Sequence, residues 1–117
     1  MRKLVKTFKA MSDETRLRIL NILLERECCV CEVMQVLDIT QSRASRHLIT
    51  LCDAGFLKFR RQGLWAMYSI DWEGMGAYNE ELIKTVRKGL EGNGQAQADL
   101  KKLATAQRLL PDCAVKN

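Results

Sequence analysis

Apolar residues recur at three- and four-residue spacing along most of this chain and change to alternation only once. Leu4, Val5, Phe8 and Met11 make a short apolar face that predicts a helix over residues 2–10. Ser12 is the expected cap of a second helix, which has Asp13 and Glu14 in its first turn and a core stripe of Leu17, Leu20, Leu23 and Leu24 to about Glu25. Val33, Val36 and Leu37 predict a short third helix from about Val30 to Leu37, followed by a tight Asp38-Ile39 turn. The stretch from Thr40 to Gly55 then reads as a helix with two faces. Ala44, Leu48, Leu51 and Cys52 can face a core, while Gln41, Ser42, Arg43, Ser45, Arg46 and His47 crowd the first two turns. Thr40 is placed to cap that helix and Gly55 to stop it.

Alternation appears next. Phe56 to Arg61 and Leu64 to Ile70 predict two strands with Gln62-Gly63 between them, a β-hairpin. Two short helices joined by a tight turn form a helix-turn-helix, and a basic hairpin directly after it makes a wing. The fold class expected is therefore mainly α with a β-hairpin wing, a winged helix-turn-helix in the order α-α-α-α-β-β-α, assembled as a dimer. Met75, Tyr78, Leu82, Val86 and Leu90 return to helical spacing and are a candidate dimer seam beside the first helix. Gly92-Asn93-Gly94 breaks that helix, Ala96 to Leu110 reads as a weak last helix before Pro111, and the tail from Asp112 is expected to fray. The division expected is residues 1–91 as DNA-binding and dimerisation domain and residues 92–117 as a C-terminal tail.

Charge sharpens this picture. Of a net charge of +5, residues 41–70 supply +4, since Arg43, Arg46, Lys58, Arg60 and Arg61 face Asp53 alone. That concentration is the footprint of a surface for double-stranded DNA, with Arg60 and Arg61 near the wing tip able to reach a flanking phosphate or minor groove. Arg16 and Arg18 read instead as solvated or locally ion-paired charges. With 117 residues the chain makes one small domain that a partner subunit would help to bury. No stretch has the apolar length of a membrane span, and MRKLVKTFKAM interleaves charges with apolar residues, so a cytoplasmic protein is expected. An enzyme is not expected, because neither a Gly-rich phosphate loop nor a paired general acid and base accompanies the cysteines.

With these residues laid out, the chain resembles the ArsR/SmtB family of winged-helix metal- and metalloid-responsive repressors. The similarity covers roughly residues 4–90 and rests on SDETRLRILNIL, CVCEV and SRHLITLCDAGFLKFRRQGLWAMYSI. CVCEV resembles the arsenic(III)/antimony(III)-responsive branch, where the two cysteines of Cys-Val-Cys are the first two thiolate ligands; here they are Cys29 and Cys31. The family pattern offers a third cysteine three residues on, where this chain has Met34. The resemblance implies a homodimer that binds a palindromic operator, represses a resistance operon and lets go when its inducer binds.

The five cysteines are odd in number, with three at positions 28 to 31, unlike a disulfide framework. Arsenite is a soft acceptor that prefers three converging thiolates, and Cys28, Cys29 and Cys31 supply three sulfurs within four residues. In an intact helix 28 and 31 are neighbours while 29 and 31 diverge, so a shared ion requires an irregular helix start. The metal site expected is Cys28, Cys29 and Cys31, with Cys52 and then Cys113 as alternative third ligands. As(III) is the expected inducer, with Sb(III) as a second candidate and no organic cofactor. Residues 75–90 hold no His, which argues against the zinc, nickel and cobalt sensors of the family. A cadmium/lead-responsive repressor shares the Cys-Val-Cys but draws further cysteines from an N-terminal extension, and this chain has none before Cys28. A thiol-redox-responsive repressor is a further alternative, and a structural zinc module would need a fourth ligand from Cys52 or Cys113.

Overall fold

A computed structural model describes residues 1–109, so the expectations for Leu110, Pro111, the tail from Asp112 and Cys113 lie outside the described residues. In chain order the elements are α1 (Arg2–Met11), α2 (Glu14–Glu25), β1 (Cys28–Cys29), α3 (Val30–Leu37), α4 (Gln41–Asp53), β2 (Leu57–Gln62), β3 (Trp65–Ile70), α5 (Ala77–Gly89) and α6 (Gly94–Thr105). This is a winged helix-turn-helix with one strand and one helix more than the expected order.

The added strand, β1, pairs antiparallel with β3, Cys28 opposite Tyr68 and Cys29 opposite Met67, which makes the sheet order β1-β3-β2. The wing hairpin pairs Leu57 with Ile70 through to Gln62 with Trp65, and its turn falls on Gly63, at a φ of +62°, and Leu64. Gly55 ends α4 as expected, at a φ of +88°, with the Phe56 N–H returning to the Leu51 carbonyl at 3.0 Å. A Cβ at Gly55 would stand 3.3 Å from Asn79 Nδ2, so the stop also admits α5 close to the helix end.

Ser12 does not cap α2. Its hydroxyl is spent on the Phe8 carbonyl at 2.8 Å, closing α1, and Asp13 accepts the Arg16 N–H at 3.0 Å instead. Thr40 caps α4 as expected, accepting from the Arg43 N–H.

α2 runs through the centre, against α1, α3, α4, α5, α6 and β3. Leu20 and Leu23 are buried, but so are Ile19 and Ile22, and Leu17 and Leu24 are only half-buried. A helix covered on several sides has no single stripe. The core continues through Val33, Val36, Leu48, Leu51, Phe56 and Ile83.

α6 begins earlier than expected, with Asn93 accepting the Ala96 N–H at 3.0 Å, and it docks on α2 and α3. Arg18 donates two parallel hydrogen bonds to the buried Asp99 carboxylate at 2.8 and 2.9 Å, and Asn21 donates to the Ala96 carbonyl. The expected apolar face of α1 is outward: Leu4, Val5 and Phe8 are exposed while Thr7 and Ala10 are buried. Likewise α5 buries Asn79 and Ile83 and leaves Tyr78 exposed.

Candidate thiol site and nucleic-acid interface

Strand alternation decides where the cysteines of β1 point. Cys28 enters the main core, fully buried, with its Sγ against the Arg26 carbonyl and guanidinium. Cys29 points the other way and joins Cys31, from the first turn of α3, in a small cluster with Met67 and the ring of Trp65. The expected convergence of Cys28, Cys29 and Cys31 is thus split: the structure brings Cys29 and Cys31 together and sends Cys28 to the opposite face. Cys52 is half-buried on the core side of α4. Among the described residues no group of three Cys, His, Asp or Glu side chains is assembled to hold a metal ion.

Cys29 is also the N-cap of α3. Its sulfur accepts from the Glu32 backbone, and the Glu32 carboxylate reaches back to the Cys29 N–H at 2.9 Å, a capping box with a thiol in place of a hydroxyl. Glu32 is buried and its second oxygen meets Arg26 Nη1 at 2.7 Å. Sequence reasoning passed over this hub, although a Glu at the third position of a helix starting at Val30 is the signal of a capping box. Burial, with Glu32 adding to it, pushes the Cys28 thiol from 9.0 up to about 12. Burial raises Cys29 as well, partly offset by the backbone N–H of Glu32. Both thiols are protonated at neutral pH.

Cys29 and Cys31 open on a cleft of about 200 Å³ whose other walls include Gln41 and Ser45 of α4 and Arg61, Leu64 and Trp65 of the wing. The cysteine pair therefore borders the first turns of the polar helix and the turn end of the hairpin at once.

On the outer side of α4, Ser42, Arg43 and Arg46 face solvent. Gln41 donates to Ser45 Oγ at 2.8 Å, tying the first two turns together. His47 is half-buried and lies 3.2 Å through Nδ1 from Arg16 Nη1, so the neutral ring accepts there. Burial lowers its pKa, with Arg16, Arg43 and Arg46 acting in the same direction against Asp13. Arg16 in turn donates to the carbonyls of Ala10 and Lys9 at the end of α1 and lies 3.9 Å from Asp13. On the wing the two arginines differ. Arg60 is tied back to the Glu27 carboxylate and to Gln62, whereas Arg61 is exposed and lines the cleft.

Known proteins are similar to this chain in sequence and fold. Residues 13–58, which run from the cap of α2 into β2, match the model of the bacterial regulatory protein, arsR family. The arsenical resistance operon repressor of Bacillus subtilis is 38% identical over 95 residues, covering 80% of this chain and 90% of that protein. The arsenical resistance operon repressor of Escherichia coli is 43% identical over 67 residues, covering 56% of this chain and 57% of the other. The cadmium resistance transcriptional regulatory protein CadC homolog of Staphylococcus aureus is 44% identical over 69 residues, covering 58% and 57%. Among solved structures, HlyU from Vibrio cholerae superposes with a TM-score of 0.64 at 30% identity, over 74% of this chain and 90% of that one. Among the described residues no helix is long and apolar enough to cross a membrane. The resemblance seen in the sequence holds: with the family match across α2 to α4 and the B. subtilis relative aligned along four-fifths of the chain, the chain belongs to the arsR family of bacterial DNA-binding transcriptional regulators.

Proposed function

We propose that this protein is a cytoplasmic, metalloid-responsive transcriptional repressor that binds operator DNA as a homodimer and dissociates when arsenite, or antimonite, is bound by cysteine thiolates. One observation carries the reading: Cys29 and Cys31 lie in a cleft whose walls include the DNA-reading helix and the wing. Gln41, Ser42, Arg43, Ser45 and Arg46 meet the major groove, His47 braces the helix from behind, and Arg61, with Arg60 beside it, reaches a flanking phosphate. The exposed apolar residues of α1 and the outward side of α5 pack against a second copy.

The chemistry of the pair suits a trivalent metalloid. In the reduced protein each thiol that replaces a hydroxyl of arsenous acid forms an S–As bond, breaks an As–O bond and releases one water, its proton leaving on the hydroxyl. The product is neutral, as a buried site beside the Glu32 carboxylate requires. Cys29 bound in this way no longer lends its sulfur to the cap of α3, and loss of a cap costs about 0.5–2 kcal/mol. α3 packs on α4, so a distorted α3 start displaces the recognition helix. A coupling of about 1–3 kcal/mol would weaken operator binding roughly 5- to 150-fold.

Cadmium is the second reading, favoured by the likeness to the S. aureus cadmium regulator. Cadmium thiolate formation must expel protons from thiols that burial holds protonated, so its affinity would rise steeply with pH while that of arsenite stays flat. Fluorescence anisotropy on promoter DNA at fixed salt, titrated with arsenite, cadmium, zinc and peroxide, tests the proposal. Release by arsenite at low concentration supports it, release by cadmium alone moves the protein to the second reading, and release by peroxide alone makes it a redox switch.

A further inference from the structure

Arg16 belongs to the first turn of α2, but its guanidinium serves two other helices. Nε donates to the Ala10 carbonyl at 2.7 Å and Nη2 to the Lys9 carbonyl at 3.1 Å, so the cation closes the C-terminal end of α1, where carbonyls lack helical partners. Nη1 donates to Nδ1 of His47, in the second turn of α4, at 3.2 Å. The side chain is only 17% exposed, and Asp13, whose other oxygen caps α2, stands 3.9 Å from Nη1 and balances the charge. Because the fork is planar and rigid, these bonds fix direction as well as distance. The His47 ring must be neutral to accept, and burial favours that form.

Open space lies on both sides of this contact. Val5, Lys6 and Lys9 of α1 share with Thr50 and Asp53 of α4 a groove of about 520 Å³, and Arg16 lines it. A second cleft, of about 410 Å³, has Arg16 and His47 on its wall together with Arg43 and Arg46, the outward arginines of α4. Helices packed side by side hold one another through interdigitated side chains. Across a groove, a hydrogen-bonded strut does this instead. Of its own residues α1 buries only Thr7 and Ala10, while Leu4, Val5 and Phe8 are exposed toward the second copy of the proposed dimer. The strut therefore connects that contact with the basic face of α4.

We propose that Arg16 is a positioning residue for DNA recognition: acting through the ring of His47, it holds α4 against the end of α1 in the orientation that lets Arg43 and Arg46 meet the operator. The inference rests on the reading of α4 as the DNA-contacting helix and adds the pair that orients it.

The test compares, by anisotropy across a salt series, affinity for a duplex of the protein's own promoter with affinity for an unrelated duplex of equal length. Arg16→Met and His47→Leu are each expected to weaken promoter binding about 2- to 30-fold, while affinity for the unrelated duplex and the salt slope stay as in wild type. The double variant should be no weaker than the weaker single one, because the two side chains act as a unit. His47→Asn, whose amide oxygen can take the place of Nδ1, should keep promoter binding. An Arg16→Met protein that loses affinity for both duplexes alike, with a salt slope smaller by about one, would make Arg16 a phosphate contact and overturn the inference. Unchanged promoter affinity in Arg16→Met and His47→Leu, even with a lower melting temperature, would leave the pair a structural contact and overturn it too. So would additive losses in the double variant, or the same loss in His47→Asn as in His47→Leu. A wild type that does not prefer its promoter would overturn the DNA reading of α4 and the inference together.

Discussion

Cys28 and Cys29 are adjacent in the chain and belong to different parts of the molecule. One fills the core between Arg26 and Tyr68; the other caps α3 and lines a cleft next to the proposed DNA-reading surface. Both are buried, and burial holds both thiols protonated, so neither accessibility nor acidity separates them. What separates them is the period of two imposed by β1 and what each face meets. A cysteine surrounded by core has no room for an ion without repacking, whereas a cysteine on a cleft has an open coordination side.

The largest effect that would test this contrast is on inducer response. Cys29→Ser is expected to keep operator binding and lose the whole arsenite-driven release, up to about 150-fold, while Cys28→Ser keeps the release; anisotropy titrations of the two variants compare them directly. Equal responses would erase the distinction between the faces.

Next in size is Glu32→Ala, which removes the carboxylate that joins the two faces by holding both the Cys29 N–H and Arg26. It is expected to cost about 1–3 kcal/mol in urea unfolding, because a buried N–H loses its partner and a charge-assisted bond is gone. Cys28→Ser should cost about 1–2 kcal/mol for a hydroxyl placed in the core, with DNA affinity unchanged.

The smallest effect is a slope. A thiol whose pKa is raised from 9.0 to about 12 in the native state contributes stability that is fully present below the unfolded value and lost as pH rises between the two. Unfolding free energy should therefore fall with pH above about 9, and Cys28→Ala should flatten that fall. On the DNA side the same logic contrasts a free with a tethered arginine. Arg46→Ala is expected to weaken operator binding by about 1–3 kcal/mol if it reads a guanine, and Arg60→Ala by less, since Arg60 is already held by Glu27.

Helices built on a run of large apolar residues were legible from the sequence, and α3 and the paired segments of the wing fall where periodicity places them. Ser12 and Glu32 were missed over local contacts, but the larger misses share a cause: partners distant in sequence. β1 is two residues long and exists through its ladder with Tyr68 and Met67, which no local pattern announces. Assigning helical geometry to Cys28 therefore placed it beside Cys31, when strand alternation sends it away. α6 read as weak because a position it buries, Asp99, is charged, and its burial depends on the fork of Arg18. The basic outer face of α4 and the wing was visible as charge, but that Arg60 is tethered depends on Glu27, 33 residues away.

The placement of Trp65 makes the protein its own optical probe. Its indole packs on the cysteine cluster and donates to the Leu109 carbonyl, while the second tryptophan, Trp72, is 46% exposed on the loop after β3. A heavy atom arriving within van der Waals range of an indole quenches its emission, and a shift of the Leu109 carbonyl changes the polarity around its N–H. Replacing Trp72 by Phe would leave a single emitter at the cleft, so that ligand arrival is read without a dye and on the timescale at which it happens.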